Sequence, residues 1–324
     1  MLKYTNRTNL PLSLAVFLAN DSYKIEDKAI SVTSLIKPLK PLILAQRVPE
    51  STRKVDLSDV ISSRLGTAYH DAIKNAWVNN KDTAMKALGY PQHIIDRVKV
   101  NPDPSTLQPN DIPVYTEIRT SREYRGYRIS GEFDFVADGR VEDHKSTTTF
   151  TYQNNTKDED YILQGSMYRW LNPKLITKDS VAINFIFTDW SARYLRQDPT
   201  YPPQKILQKV YPLKTVPATE QFINGKLNLI ETYMDAPETD IPECTDTDLW
   251  RSDPVYKYYK NKSKMDKSTK NFDTYAEAHS RYLADGAVGI IVEKRGEVKA
   301  CKYCPGFEAC TQKDRYILSG ELTI

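Results

Sequence analysis

The 324-residue sequence has no apolar stretch of the roughly 18 to 20 residues that a membrane-spanning helix requires. An apolar run at 10–19 is short and interrupted, and no convincing small-residue cleavage pattern follows it. The sequence also lacks a G-x-x-x-x-G-K-[ST] loop, which argues against an ATP-driven motor. We therefore expect a cytoplasmic protein that has no membrane partner and is not itself an ATP-driven motor.

An excess of charge of one sign is missing as well. The 45 basic and 42 acidic residues leave a net charge of +3. This balance neither requires nor excludes a nucleic-acid partner, because binding depends on where positive charges cluster. The apolar fraction of 40% and the length allow one large domain with an appendage, or two domains.

Cysteine is scarce, and three of the four cysteines crowd near the C-terminus in the pattern Cys301-x2-Cys304-Pro-x4-Cys310. In a cytoplasmic chain this grouping favours a metal centre over disulfides. Cys244 can complete a four-thiolate site if the intervening segment folds back. Four sulfurs suit either Zn²⁺ or an iron–sulfur cluster, and free thiols without a metal are the alternative.

The hydrophobic periodicity predicts an α/β core with a mixed sheet. The predicted elements are a helix from about 56–59 to 78, strands at 114–119, 127–137 and 140–145, a helix at 157–171, a strand at 181–188 and a helix at 218–234. The residues up to about 49 read as an irregular arm with short β-like runs. An acidic stretch at 236–248 marks the expected boundary between a core with its arm, 1–235, and a lysine-rich, cysteine-containing segment, 236–324.

The predicted hairpin carries two carboxylates and a lysine. Asp134 ends the motif Gly-x-x-Asp, and Asp143 and Lys145 lie on the partner strand beyond an Asp-Gly turn. Residues two apart on a strand project from the same face. Paired carboxylates select Mg²⁺ or Mn²⁺, and Lys145 would orient a water or stabilise the transition state. The alternative is a solvated strand edge with an incidental ion pair.

Two helices carry further candidates at i,i+4 spacing. Gly66 and His70 lie on the first predicted helix, so the imidazole can point at the sheet edge as a metal ligand. Gln164 and Tyr168 lie on the helix after the hairpin and could contact a phosphate or orient the lysine. A packing role for His70 and ordinary surface chemistry for the other pair are the alternatives.

Together these four motifs resemble the RecB-type branch of the PD-(D/E)XK nucleases, whose pattern is G-x-x-x-H, G-x-x-D, (D/E)-x-K and Q-x-x-x-Y. All four occur in family order over 66–168. The residues at 31–35 and the Cys-x-Tyr-Cys-Pro element also resemble stand-alone phage exonucleases. The resemblance implies a restriction-endonuclease-like core, with a mixed central sheet flanked by helices, plus a small cysteine metal-binding segment.

The same resemblance assigns roles to the motif residues. Those that would hold a metal ion are His70, Asp134, Asp143 and, through its backbone carbonyl, His144. Those that would act on the phosphate are Lys145 as the catalytic lysine, with Gln164 and Tyr168 as supports. Glu117 on the preceding strand is a further candidate for a second ion or for supporting a ligand, and its alternative is an exposed strand carboxylate.

The implied activity is a Mg²⁺- or Mn²⁺-dependent DNA exonuclease that leaves 5′-phosphate and 3′-hydroxyl ends. It would act in DNA recombination or repair in a bacterial or phage-infected cell, and a helicase or a single-strand annealing or binding protein could work beside it. A structure-specific endonuclease of resolvase type has the same site. A non-catalytic DNA-binding subunit is the alternative from another class.

The spacing of Cys301, Cys304 and Cys310 resembles the iron–sulfur staple of AddB-type and CRISPR-adaptation nucleases, which implies a 4Fe–4S cluster, with Zn²⁺ as the alternative. One departure is that Cys244 follows the core, whereas the fourth cysteine of those relatives precedes it. Between these cysteines, residues 256–270 contain six lysines and three tyrosines. They could contact phosphates and unpaired bases, or form a solvated loop.

Overall fold

The computed structural model describes residues 3–20 and 29–324. The chain forms two compact units: the larger comprises 3–37 and 54–228, and the smaller comprises 38–53 and 229–324 of the described residues. The spatial division after residue 228 lies near the expected boundary at 235/236. It also assigns 38–53 to the smaller unit, whereas the sequence placed these residues with the core. The expected domain boundary itself stays a prediction.

The helices and strands are numbered in chain order. The helices are α1 Leu12–Ala19, α2 Val32–Ile36, α3 Leu39–Arg47, α4 Ile61–Ala87, α5 Gln92–Ile95, α6 Thr149–Asn154, α7 Asp158–Leu171, α8 Ala192–Leu195, α9 Val216–Tyr233, α10 Tyr275–Ala284 and α11 Thr311–Leu318. The strands are β1 Lys3–Thr5, β2 Ala29–Ser31, β3 Lys54–Asp56, β4 Val98–Val100, β5 Ile112–Tyr124, β6 Tyr127–Ala137, β7 Arg140–Thr147, β8 Ser180–Phe187, β9 Ile206–Pro212, β10 Val255–Tyr259, β11 Lys270–Phe272 and β12 Ile290–Lys294.

The larger unit is built on a seven-stranded mixed sheet of order β4-β5-β6-β7-β8-β9, in which β2 also pairs with β6. Strands β5, β6 and β7 are antiparallel neighbours, β7 and β8 are parallel, and β9 returns antiparallel to β8. A parallel pair requires a crossover connection, which α6 and α7 supply here. This crossover places α7 against β7, the strand that carries Asp143 and Lys145.

The core of the larger unit combines large side chains of α7 with those of the sheet. Met167 and Trp170 of α7 are fully buried, as are Phe185 and Phe187 of β8. Residues two apart on a strand share a face, and these two phenylalanine rings stack with centroids 5.7 Å apart. The Trp170 indole donates a hydrogen bond to Glu220 Oε1 at 3.0 Å, which ties α9 to α7.

The smaller unit contains a three-stranded antiparallel sheet, β11-β10-β12, with α10 packed against it. A separate buried cluster is formed by Leu249, Val298, Cys301 and Leu322. Helix α3 joins this unit through Arg47, whose Nη2 donates to three backbone carbonyls between 233 and 236. The smaller unit therefore has its own core and its own polar ties.

The predicted mixed sheet flanked by helices is confirmed, and most predicted elements match within a few residues. Helix α4 is the main difference in length, because it runs to Ala87 and not to about 78. Met85, in its last turn, packs in a buried cluster with Ile95, Val98, Val114 and Phe135. Tertiary packing thus extends the helix beyond residue 78, where the polar sequence did not predict that it continues.

The expected β-like arm at the N-terminus is wrong for most of its described part, which forms α1, α2 and α3. Pro11 and Pro38 immediately precede α1 and α3, a position that proline tolerates, and the Ser31 hydroxyl caps α2. Residues 1–2 and 21–28 of that arm lie outside the described residues. In the described ranges, no helix is both long and apolar enough to cross a bilayer.

Candidate active site

The hairpin with the two predicted carboxylates closes at Asp138 and Gly139, which have φ values of 47° and 72°. Two successive positive φ values are typical of the tight turn between twisted antiparallel strands. Counted from the turn, the last paired residues of β6 and β7 are Phe135 and Glu142, next to Asp134 and Asp143. There Asp134 Oδ2 accepts a hydrogen bond from the His144 backbone N–H at 2.7 Å. The carboxylate thus lies where the two strands separate.

Asp143 is the centre of a hydrogen-bonded group. Its Oδ2 lies 2.7 Å from Lys145 Nζ, and its Oδ1 accepts a hydrogen bond from Gln164 Nε2 at 3.0 Å. Gln164 Nε2 also donates to Tyr168 Oη at 2.9 Å. The structure therefore brings the predicted lysine and both predicted residues of α7 together at Asp143. In this geometry Oδ1 of Asp143 accepts a hydrogen bond, whereas the buried Oδ2 has only the ion-pair contact with Lys145.

His70 of α4 belongs to a second group. Its Nδ1 lies 3.2 Å from Glu117 Oε1 and 3.4 Å from Asp134 Oδ1, and its Nε2 lies 3.1 Å from the carbonyl oxygen of His144. His70, Glu117 and Asp134 offer ligand atoms within 4.8 Å of one another, and no other such group of three or more occurs at 3–20 and 29–324. This group contains Glu117, to which the sequence gave less weight, and not Asp143.

Glu117 reaches the site through an unusual backbone conformation. It lies within β5 between Thr116 and Ile118, which pair with Phe135 and Phe133 of β6, but Glu117 itself is not paired with Asp134 and its φ is +51°. A positive φ is uncommon for a residue other than glycine and is costly inside a strand. Nothing in the sequence predicts this conformation. The only signal was a carboxylate on the strand before the hairpin.

His144 contacts Asp134 and His70 through its backbone. Its N–H bonds Asp134 and its carbonyl oxygen lies against His70. The imidazole turns instead towards β8, where Nδ1 lies 3.3 Å from Asn184 Nδ2. Burial lowers the pKa of this imidazole, so we expect it to be neutral at pH 7.

The carboxylates clustered at the site bring together more negative charge than their buried surroundings stabilise. Burial, reinforced by the Asp143 carboxylate, raises the pKa of Asp134 to about 8. Burial disfavours the imidazolium of His70, but the hydrogen bond to Glu117 and the charge of Asp134 outweigh it and raise that pKa to about 9. A divalent cation among these atoms would supply the positive charge that retained protons otherwise supply.

Close packing at Gly131 explains why the motif Gly-x-x-Asp begins with glycine. A Cβ at this position would lie 2.9 Å from Tyr168 Cε1 and 2.9 Å from Val32 Cγ2. Real Cβ atoms do not approach other atoms so closely. The glycine therefore lets the Tyr168 ring lie directly on β6, three residues before Asp134.

We expect Gly131→Ala to lower the free energy of unfolding by about 1–3 kcal/mol, because the added methyl group overpacks this contact. The same methyl group should displace the Tyr168 ring. Gly225→Ala is the matched control, because Gly225 lies in α9 with no atom within 4 Å of a Cβ. This control should gain about 1 kcal/mol from helix propensity. Equal stabilities of the two variants in denaturant titrations would contradict the packing.

The four cysteines come together in the smaller unit. Burial, Asp248 and the other three thiols all raise the pKa of the Cys244 thiol, to about 12, so the four thiols lie within electrostatic reach of one another. Buried Gln312 holds Cys244 in place: its Oε1 accepts from the Cys244 N–H and its Nε2 donates to the Cys244 carbonyl, both at 2.9 Å. The intervening segment thus folds back, as a four-thiolate site requires.

The lysine-rich segment 256–270 is only partly a loop. Its first residues belong to β10, where Tyr258 and Tyr259 are buried. These two rings are therefore not exposed for stacking on bases, contrary to the sequence expectation. Because adjacent residues of a strand project to opposite faces, β10 is covered on both faces at this point.

Comparisons with known proteins identify no family for this chain. No family model matches it, and no curated protein matches it in sequence. The crystal structure of SSO0001 shares 16% identity at a TM-score of 0.40, over 67% of this chain and 83% of that chain. A phage-related exonuclease from Haemophilus somnus 129PT shares 14% identity at a TM-score of 0.28, over 68% and 98% respectively. Both TM-scores are below 0.5, which is too low to indicate a shared fold.

Proposed function

We propose that this chain is a divalent-metal-dependent deoxyribonuclease of the PD-(D/E)XK type. We propose further that it acts as an exonuclease and leaves 5′-phosphate and 3′-hydroxyl ends. The observation that supports this is the meeting of His70, Glu117 and Asp134 beside the Asp143–Lys145 pair. Residues from two helices and three strands converge there, although 70 and 164 lie far apart in the sequence.

The donor set fits Mg²⁺ or Mn²⁺. Glu117 and Asp134 offer carboxylate oxygens, His70 offers a ring nitrogen, and the His144 carbonyl lies on the same side. Asp143 would join them by turning one oxygen from its present partners. Hard oxygen ligands with one imidazole suit these ions, and the bound ion would neutralise phosphate charge and lower the pKa of water.

Lys145 acts in this proposal as a positive charge and a hydrogen-bond donor. Burial opposes its ammonium form, but the carboxylates of Asp143 and Asp134 outweigh burial and raise the pKa of Lys145. A group that stays protonated at neutral pH cannot serve as the general base. Its ammonium can instead stabilise negative charge that develops on the phosphate.

The residues of α7 hold this lysine in place. Gln164 donates one N–H to Asp143 and the other to Tyr168, so the carboxylate that binds Lys145 is itself oriented. Tyr168 is in turn fixed by its packing on Gly131. The chain from Tyr168 to Lys145 therefore determines where the ammonium lies.

We propose a structural metal centre at Cys244, Cys301, Cys304 and Cys310. The Cys-x2-Cys-Pro-x4-Cys spacing in the sequence favours a 4Fe–4S cluster, with Zn²⁺ as the alternative.

The proposed setting is DNA recombination or repair in the cytoplasm of a bacterial or phage-infected cell. DNA is the proposed partner. A helicase or a single-strand annealing or binding protein could act beside it, and the sequence itself has no G-x-x-x-x-G-K-[ST] loop.

Metal titration of two variants tests the assignment of roles. His70→Ala removes one ligand from a shell that Asp134 and Glu117 still define, so we expect weaker metal binding and slower cleavage, and raised Mn²⁺ should partly restore the rate. Tyr168→Phe loses only the hydroxyl that accepts from Gln164. We expect it to keep the parent metal dependence and to lose about tenfold in rate, the value of one hydrogen bond in the transition state.

The two variants serve as controls for each other. A shift of the metal dependence in Tyr168→Phe, with none in His70→Ala, would show that the roles are reversed. Full rates for both variants at low Mn²⁺ would remove these residues from the site altogether.

A further inference from the structure

Residues 253–295 leave the cysteine-bearing part of the smaller unit and return to it through a narrow neck. The Ser252 N–H donates to the carbonyl oxygen of Glu297 at 3.0 Å. A Cβ at Gly296 would lie 1.6 Å from the carbonyl oxygen of Ser252, so the two chain segments touch backbone to backbone. We call residues 253–295 the insert, and its two ends are joined at this neck.

The insert has its own small core. It contains β10, β11, α10 and β12, with α10 packed on the sheet. Tyr258 and Ala278 are fully buried, and the Tyr258 hydroxyl donates to the Val288 carbonyl at 2.8 Å. The rings of Tyr256 and of Tyr275 in α10 meet edge-on, with centroids 5.8 Å apart. Tyr258 is thus fully occupied with packing inside the insert, whereas Tyr275 remains 55% exposed.

The loop between β10 and β11, residues 260–269, is held by hydrogen bonds of its own. The Lys260 N–H donates to Thr269 Oγ1 at 3.0 Å, and the Thr269 N–H donates to the Tyr258 carbonyl at 2.8 Å. Further along, Asn261 Oδ1 accepts from the Ser263 N–H at 2.9 Å. Side chains on this loop therefore project from a defined backbone.

Positive charge is concentrated on this loop. Residues 256–270 carry six lysines and one aspartate, and Lys262, Lys264 and Lys267 are exposed. Of the six lysines, only Lys260 comes within 4.0 Å of a carboxylate of the described residues, lying 3.9 Å from Asp285 Oδ2. Glu277 of α10 is engaged with the cap at Thr274, and Asp285 lies closer to Arg281, at 3.2 Å, than to Lys260. The ammonium groups of the loop are thus available to an anionic partner.

We propose that the loop 260–269 of the insert binds the phosphate backbone of duplex DNA without reading its sequence. Sites for single strands combine a basic surface with exposed rings on which bases stack. This loop has no aromatic residue, and Tyr258 and Tyr259, which directly precede it, are buried. A duplex offers about one charge per 1.7 Å of axis, a dense target for lysines alone. The choice of DNA as the polymer rests on the proposed nuclease function.

The test compares two triple variants of the full chain. One carries Lys262→Gln, Lys264→Gln and Lys267→Gln. The control carries Lys86→Gln, Lys174→Gln and Lys205→Gln, three exposed lysines of the larger unit with the same change in net charge. Fluorescence anisotropy with a labelled blunt duplex in EDTA gives the affinity at several salt concentrations, free of cleavage.

We expect the loop variant to bind at least about tenfold more weakly at low salt, with a slope of log K against log [salt] shallower by about 3. The control should keep the parent slope. Equal slopes for the two variants would overturn the proposal. An equal or larger loss on a single strand of the same length would overturn the assignment to duplex DNA.

Cleavage of the same duplex with Mn²⁺ separates this proposal from the nuclease proposal. Parent-like binding by the loop variant, together with Mn²⁺-dependent cleavage by the parent, would overturn the role of the insert and leave the nuclease standing. A shallower slope in a protein that cuts no DNA would support the insert and overturn the nuclease.

Discussion

Asp134→Asn is expected to lower DNA cleavage by at least about a hundredfold, at every Mg²⁺ or Mn²⁺ concentration. The amide has the shape of the carboxylate and can still accept the hydrogen bond from the His144 N–H. It lacks the charge that would hold a cation beside His70 and Glu117. Steady-state cleavage of a labelled duplex measures the loss.

The same substitution should not destabilise the fold. The pKa of Asp134 is raised to about 8, so the stability that its protonated form provides is lost as the pH rises through that value. Asparagine has no proton to lose. In EDTA at pH 9 the variant should therefore melt at the parent temperature or above it. Asp138→Asn, at the exposed turn of the same hairpin, is the control and should leave cleavage unchanged. A variant that melts well below the parent would show that its lost activity is a folding defect.

Cys310→Ser is expected to abolish the proposed metal centre at the four cysteines. Three thiols and a hydroxyl form a much poorer donor set, and structural metal sites of this size contribute on the order of 10 kcal/mol to folding. Anaerobically purified parent should contain iron and sulfide with charge-transfer absorbance, or else about one zinc per chain. The variant should contain neither, and residues 229–324 should become sensitive to proteases.

Glu308→Gln provides the matched control for this cysteine variant. Glu308 lies between Cys304 and Cys310, is exposed and contributes no thiol. It should keep the parent metal content and the parent protease resistance. A metal-free parent that resists proteolysis as well as its Cys310→Ser variant would contradict the metal centre.

The sequence was sufficient for the parts of the site that depend on short spacings. The Asp-Gly turn places Asp134 and Asp143 at the same end of a hairpin, and the strand period puts Lys145 on the face of Asp143. The spacing of Gln164 and Tyr168 on α7 likewise leads to their mutual hydrogen bond. These relations are local, so periodicity alone predicts them.

The remaining parts depend on tertiary packing. The turn of Glu117 into the site requires a positive φ that no local pattern favours. The burial of Tyr258 depends on α10, which follows it by more than a dozen residues. The position of Cys244 is set by Gln312, a long-range contact between residues of unremarkable type. Such features follow from which elements meet, and that information is not contained in spacing.

The most direct measurement of the central claim uses one DNA in two forms, an end-labelled linear duplex and a covalently closed circle, each incubated with the parent protein in Mn²⁺ or in EDTA. The account predicts that Mn²⁺ alone allows the linear duplex to be degraded from its end, while the circle stays closed. Opening of the circle would replace the exonuclease by an endonuclease with the same site. Intact phosphodiester bonds in both forms, at every Mn²⁺ and Mg²⁺ concentration, would contradict the account.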